Sequence, residues 1–269
     1  LFPMYLFSVG IIFFIAGFLT NFKSKVPFSE NILTILSWIF FNIKKGLNIN
    51  GIEDSYLLNA GVTWTLPYEW AFYFLLPLIA LFFKIKINYK VLLSFTATAA
   101  LIMFINGSSL RHFYPFLGGI VAALIINRNI FGNVIKQKKY TFLAIFLITC
   151  SIYFFNSGRK PIPIIITSIV FIIIASGNTF FGLLSSTFSR KFGQITYSIY
   201  LLHGTLLFIL FYFIIGFEEA KKLSDAEFWS IIALSVFPLI FISQLTFKYI
   251  EQPLMEFAKL KLKSFTVKS

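Results

Sequence analysis

Thr63-Trp64-Thr65-Leu66-Pro67-Tyr68-Glu69-Trp70-Ala71-Phe72-Tyr73-Phe74-Leu75-Leu76-Pro77 opens an apolar helix with an acid, two prolines and a row of aromatics at its edge. If Leu66 caps this helix, Pro67 takes its first position, where a missing N–H costs nothing. Glu69 then stands in the first turn, facing the positive end of the helix dipole. An ionisable residue beside an apolar span is costly unless it is paired, wet or used. Glu69 therefore has two readings: an acid that stabilises its own helix, or a functional carboxylate.

The rest of the chain supplies the apolar setting. Of its 269 residues 58% are hydrophobic and 12% charged, whereas soluble domains carry roughly a quarter charged residues. The apolar residues come in long blocks with the charges between them, which indicates an all-α polytopic membrane protein. A β-barrel would alternate apolar and polar residues along short segments, and no such pattern is present. The net charge of +13 sits in short loops, as topology signals and contacts to anionic lipid headgroups, and does not point to nucleic acid. The single cysteine, Cys150, excludes an internal disulfide framework and a cysteine-based metal site. No phosphate loop, dinucleotide fingerprint, HExxH or CxxC occurs. No metal or bound cofactor is expected, and any chemistry must come from isolated polar residues within the bundle.

A span needs roughly 20 mostly apolar residues. Segments 4–19, 64–83, 91–105, 113–126, 140–155, 163–176, 195–215 and 228–250 qualify, giving about eight spans. Segment 32–43 covers about half a span and reads as interfacial or re-entrant. Segment 177–188 is apolar but broken by glycine, and reads as a loop folded against the bundle. Lys84, Lys86, Lys90, Arg128, Lys136, Lys138, Lys139, Arg190, Lys191 and the tail lysines fall on one side, which the positive-inside rule places in the cytoplasm. Lys23, Lys25, Arg159 and Lys160 fall on the other. On this orientation Glu69 enters from the outer face. Residues 1–253 form a membrane domain and 254–269 a basic cytoplasmic tail on the inner surface. Leu1 leads directly into an apolar helix, with no basic flank before it, so a fragment lacking its true N-terminus is expected.

His203 lies near the middle of segment 195–215. Thr196, Tyr200 and His203 recur at four- and three-residue spacing, so they share one helix face. A histidine at that depth either lines a proton or substrate path or bonds a neighbouring helix. Arg111, at the outer end of segment 113–126, either snorkels to the headgroups or holds an anionic group. Gly118-Gly119 with Ala122-Ala123 forms a small-residue face for close helix packing. Glu251, at the end of the last span, opposes the helix dipole and needs a basic partner, for which Arg190 and Lys191 are candidates. Pro253 biases Gln252 away from helix and predicts a bend there.

Together these stretches resemble the acyltransferase 3 family of integral-membrane enzymes. Trp64-Thr65-Leu66-Pro67-Tyr68-Glu69-Trp70-Ala71-Phe72-Tyr73 resembles its Trp-Ser-Leu-x-x-Glu-x-x-Phe-Tyr signature. Phe192-Gly193-Gln194-Ile195-Thr196-Tyr197-Ser198-Ile199-Tyr200-Leu201-Leu202-His203 is similar to Gly-x-x-Ser-Tyr-x-x-Tyr-Leu-x-His. Lys248-Tyr249-Ile250-Glu251-Gln252-Pro253 is similar to the closing Glu-x-Pro motif. The stretch from Arg111 to Gly119 fits an Arg-x-x-x-x-Phe-x-x-Gly region, and Leu1-Phe2-Pro3-Met4-Tyr5 the end of a further motif. Thr65 and Thr196 replace serines, and Gly204-Thr205 stands where the family has a proline.

The resemblance implies O-acylation of a surface polysaccharide, lipopolysaccharide O-antigen or related lipid-linked glycan, with acetyl-CoA as cytoplasmic acyl donor. It implies about ten spans in the inner (plasma) membrane with both ends cytoplasmic, of which this chain carries the last eight. The family's main base would lie upstream of Leu1, so the chain alone is expected to be inactive or impaired. His203, Glu69 and Arg111 are then supporting catalytic residues, Trp64, Tyr73, Thr196 and Tyr200 substrate-binding residues, and Glu251 and Pro253 structural motif residues. The partners are membrane lipids and the glycan. A transporter or flippase, or a non-catalytic remnant, would place similar residues in a similar bundle.

Overall fold

The computed structural model describes residues 2–40, 48–83, 85–107 and 109–266. Among them the regular structure is helical, and the only pairing of strand type is a lone bridge between Ile49 and Ile52. The longer elements are α1 (Phe2–Leu19), α2 (Phe28–Ile39), α3 (Leu66–Ala80), α4 (Tyr89–Asn106), α5 (Tyr114–Asn127), α6 (Lys138–Phe154), α7 (Pro161–Ala175) and α8 (Thr187–Ile209). A four-residue turn α9 (Phe217–Ala220), then α10 (Asp225–Thr246) and α11 (Gln252–Thr266) complete the chain. The end of the expected half-span 32–43 lies outside the described residues.

Among the described residues, four helical stretches are long and apolar enough to cross a membrane: Phe2–Leu19, Tyr89–Asn106, Thr187–Ile214 and Asp225–Leu260. The other expected spans are helical at the expected places but shorter, with 15 residues in α3, 14 in α5, 17 in α6 and 15 in α7. A 15-residue helix covers about 22 Å at 1.5 Å per residue, short of a hydrocarbon core of about 30 Å. Large apolar side chains cover the outside, and several polar ones join the apolar core. Phe104, Phe188 and Phe237 face outward, while Ser198, Ser243 and Asn59 are fully buried. Such a surface suits lipid, where polar groups must be satisfied inside the protein. This is a membrane protein.

The chain divides into two compact units, residues 1–66 with 192–269, and residues 67–191. In the first, α1 meets α2 through Trp38, whose ring lies edge-on to Phe13 at 6.1 Å and whose carbonyl accepts from the Tyr5 hydroxyl. Beyond α1, Asn50 ties two loops together. Its amide donates to Thr20 Oγ1 and the Lys23 carbonyl, both at 2.8 Å, and its Oδ1 accepts from the Lys25 N–H at 2.8 Å. Asn50 adopts a left-handed φ of 49°, which asparagine tolerates better than most residues.

In the second unit α7 packs between α5 and α6. A Cβ on Gly118 would lie 2.2 Å from Ser168 Oγ, so the glycine sets how closely α5 and α7 approach. The 177–188 segment folds against this unit as expected, through the buried Asn178. The Asn178 Oδ1 accepts from Thr141 Oγ1 at 2.9 Å, and its amide donates to the Ile135 carbonyl at 2.9 Å.

Pro253 does not end the helix, and Gln252 is not pushed out of it as expected. Gln252 is helical (φ −59°, ψ −48°), and Asp225–Leu260 is one continuous helical stretch. A π-turn over Phe247–Glu251 precedes the proline, so Pro253 falls in the first turn of the next α-helical segment, where its missing N–H costs little.

Candidate active site

Helix α8 begins eight residues ahead of the expected span, because the Ser186 hydroxyl accepts the Ser189 N–H at 3.1 Å and opens its first turn. His203 remains near the middle of the candidate span Thr187–Ile214. Its Nδ1 lies 2.8 Å from the Tyr200 carbonyl and 3.3 Å from that of Ile199. A carbonyl oxygen can only accept, so Nδ1 carries a proton, and in the tautomer this selects the lone pair lies on Nε2. The backbone of α8 thereby selects the tautomer, as an acceptor on the far nitrogen does for catalytic histidines in general.

Tyr200, one turn earlier, is held on both sides of its hydroxyl. Its single proton goes to the Val62 carbonyl. The 2.6 Å contact with Thr65 Oγ1 must then be a bond that Thr65 donates. The hydroxyl thus clamps the short 3₁₀ turn Val62–Thr65 to α8. Gly204 completes the seat: a Cβ there would stand 2.1 Å from the Asn59 carbonyl oxygen and 2.8 Å from the Ala60 nitrogen. Asn59 is buried, and its Oδ1 accepts the Gly61 N–H at 3.1 Å. The loop ahead of α3 therefore rests on the face of α8 that holds Tyr200 and Gly204.

Of the expected stripe, Tyr200 and His203 stay together, with ring centroids 6.1 Å apart. Thr196 is exposed, donates to the Gly193 carbonyl at 2.8 Å, and lines a separate cavity with Glu251 and Lys259. Trp64 is exposed within the clamped turn. Glu69, Tyr73 and Arg111 belong to the second unit. Leu66 is already helical (φ −59°, ψ −42°), so α3 starts one residue earlier than expected, with Glu69 in its first turn. Glu69 is half-buried and interacts electrostatically with Tyr73, one turn on. Arg111 is exposed in the 3₁₀ turn Leu110–Phe113 ahead of α5.

Glu251 has a different partner from the one expected. It is buried and accepts from the Ser198 hydroxyl, which in turn accepts from Thr246 Oγ1 at 3.0 Å. No basic side chain of its own unit pairs with it among the described residues. The dipole argument fails because the helix does not end at Glu251 but runs on through α11. Bonding to the fifth residue along the π-turn puts Glu251 one turn beyond Thr246, on the face that carries Ser243 and Thr246. Glu251→Ala leaves Ser198 without its acceptor, and we expect a loss of about 1–3 kcal/mol, measured as lowered thermal stability in detergent. Glu251→Gln, which keeps an acceptor there, should recover most of it.

Residues not singled out as candidates from the sequence are Tyr68, His112, Asn59 and Ser198. Tyr68 Oη accepts the Ser109 N–H at 3.1 Å and lies 2.8 Å from His112 Nδ1, joining the start of α3 to the turn before α5. Local signals were present for two of them. Tyr68 lies between Pro67 and Glu69 in the opening motif, and Ser198 falls on the buried face of α8 with Ile195 and Leu202.

A family model described as an acyltransferase domain, that of acyltransferase 3, matches residues 1–248, a stretch that ends just before Glu251 and Pro253. No curated protein and no solved structure matches the chain.

Proposed function

Because the chain belongs to the acyltransferase 3 family, we propose that it moves an acetyl group from acetyl-CoA to a hydroxyl of a cell-surface or lipid-linked glycan. It would do so as a multi-pass protein of about eight spans in the inner (plasma) membrane. The observation that carries this reading is His203, a part-buried ring near mid-span whose own helix accepts the Nδ1 proton and so leaves Nε2, in that tautomer, able to accept another. In the transfer, the glycan oxygen attacks the thioester carbonyl carbon. The new C–O bond forms as the C–S bond breaks, and the hydroxyl proton passes by way of Nε2 to the departing thiolate. The lysine-rich loops put the C-terminal tail in the cytoplasm, on the donor side. Glu69, Trp64 and Tyr73 then serve the acceptor side, and Arg111 an anionic group on either substrate.

Expression of the full-length gene product in a host that lacks its own glycan O-acetyltransferase tests this reading. Mass spectrometry of the surface glycan should show alkali-labile acetyl esters that are absent without the gene. Glycan that reaches the surface in greater amount but unmodified would favour a transporter and contradict the acyltransferase.

A further inference from the structure

At the lysine-rich end of α8 lies a polar cavity of about 460 Å³, walled by Gly193, Gln194 and Tyr197 of α8 and by Glu251, Glu256 and Lys259 of the facing helical stretch. Glu251 is its deepest charged group, 8% exposed. Oε1 of this carboxylate accepts from the Ser198 hydroxyl. Oε2 has no hydrogen-bond partner among the described residues, yet it is not sealed in, since the side chain lines the cavity. A buried carboxylate is costly to leave half satisfied, so the free oxygen requires a donor from outside. Glu256 Oε1 is already taken by the Gln252 amide at 2.9 Å. At the exposed mouth, Lys259 makes no ion pair and Gln194 no hydrogen bond among the described residues. The cavity offers an unsatisfied anion at its base and two unpaired donors, one of them cationic, above it.

Depth in the membrane fixes the direction of entry. Asp225–Leu260 runs for 36 residues, about 54 Å at 1.5 Å per residue, against a hydrocarbon core of about 30 Å. Its apolar part, 228–250, is long enough to fill the core, so Glu251 stands where the helix passes into the headgroup layer. Gly193 and Gln194 sit at the same level on α8, just ahead of the apolar segment 195–215. Lys259 lies two turns beyond Glu251 toward water, and its side chain leans back along the helix toward the cavity. A ligand held here has its cationic end innermost, at Glu251, and its anionic end outward, at Lys259 and Gln194. A phospholipid presents the opposite order, with its chains inward and its ammonium outermost. The match is a soluble zwitterion arriving from the aqueous side, and the volume is that of an ordinary small-molecule site.

We propose that the cavity binds a small soluble zwitterion, an ω-amino acid or aminoalkyl phosphate, whose primary ammonium donates to Glu251 Oε2 while its anion meets Lys259 and Gln194. A quaternary ammonium has no N–H to give Oε2 and is excluded. A polyamine would set a second cation against Lys259 and is disfavoured by repulsion. The site requires only that the chain lies in a membrane, not that it transfers acyl groups.

The test uses the purified full-length gene product in detergent, titrated calorimetrically with O-phosphoethanolamine, which should bind at a single site. Phosphocholine, which differs in having no N–H, should bind about 10–100-fold more weakly, the worth of a hydrogen bond to a charged group. Ethanolamine, which lacks the anion, should be weakened to a similar extent. Glu251→Gln keeps an acceptor for Ser198 but loses the charge, and should weaken O-phosphoethanolamine over the same range. Gly193→Leu checks the cavity independently. Nothing lies within 4 Å of a Cβ there, so the side chain grows into the space and should abolish binding in a protein that melts normally. Absence of binding by the parent, equal binding of phosphocholine, or undiminished binding by either variant overturns the proposal. So does retention of phosphatidylethanolamine, from vesicles of that lipid with phosphatidylcholine, by a protein that ignores O-phosphoethanolamine.

Discussion

The His203→Asn protein should transfer acetyl groups about 10²–10⁴-fold more slowly than the parent, the span usually lost with a positioned acid–base group, with its melting temperature little changed. The choice of asparagine follows from the geometry of α8. An asparagine amide can still donate to the Tyr200 carbonyl that now takes the Nδ1 proton, so the local helix bond survives. What disappears is Nε2, the nitrogen that the tautomer leaves with a lone pair. A purely structural histidine would be replaced at little cost, because its one hydrogen bond is reproduced. Steady-state rates with acetyl-CoA and an oligosaccharide acceptor decide the matter. Unchanged kcat returns His203 to a structural role, and restoration of His203→Ala by added imidazole would identify the lost group as a proton carrier.

The second large effect is on stability. Gly204→Ala puts a methyl carbon 2.1 Å from the Asn59 carbonyl oxygen, 2.3 Å from the Asn59 carbonyl carbon and 2.8 Å from the Ala60 nitrogen. These are backbone atoms, so no flexible side chain can swing aside. The loop must leave α8, and the Thr65–Tyr200–Val62 bonds go with it. Overpacking of this kind costs about 1–3 kcal/mol and occasionally more, and loss of the clamp adds to it. We expect a lowered melting temperature and new protease sensitivity within residues 55–65, with falling activity as the loop ahead of α3 comes free. Gly119→Ala provides the contrast, since no atom lies within 4 Å of its added carbon and its fold should be unaffected.

Much of this architecture could be read from residue order, and the reason is the membrane. Apolar blocks must satisfy their backbone within each segment, so helices were found at all the expected places, and the broken 177–188 segment packed as a loop. The opening motif and the Tyr200–His203 pair were legible because helical spacing alone brings those residues onto one face. What escaped were pairings between distant segments. Ser198 meets Glu251 across 53 positions, Thr65 meets Tyr200 across 135, and Ser109 meets Tyr68 across 41. No local period signals such pairs. The expected basic partner of Glu251 fails for the same reason: a proline two residues on predicts a helix end, whereas the π-turn before it lets the helix continue. The tautomer of His203 depended on backbone carbonyls whose positions only coordinates provide.

In the proposed reaction this bundle carries out acyl transfer with His203 in the proton path. The most direct measurement uses inverted membrane vesicles containing the full-length gene product, given acetyl-labelled acetyl-CoA on their exposed cytoplasmic face. Label is then followed into alkali-labile esters on glycan inside the vesicles. Label should reach the glycan with the parent protein and fail to do so with His203→Asn. Parent vesicles that leave the glycan unlabelled, or His203→Asn vesicles that label it at the parent rate, would contradict it.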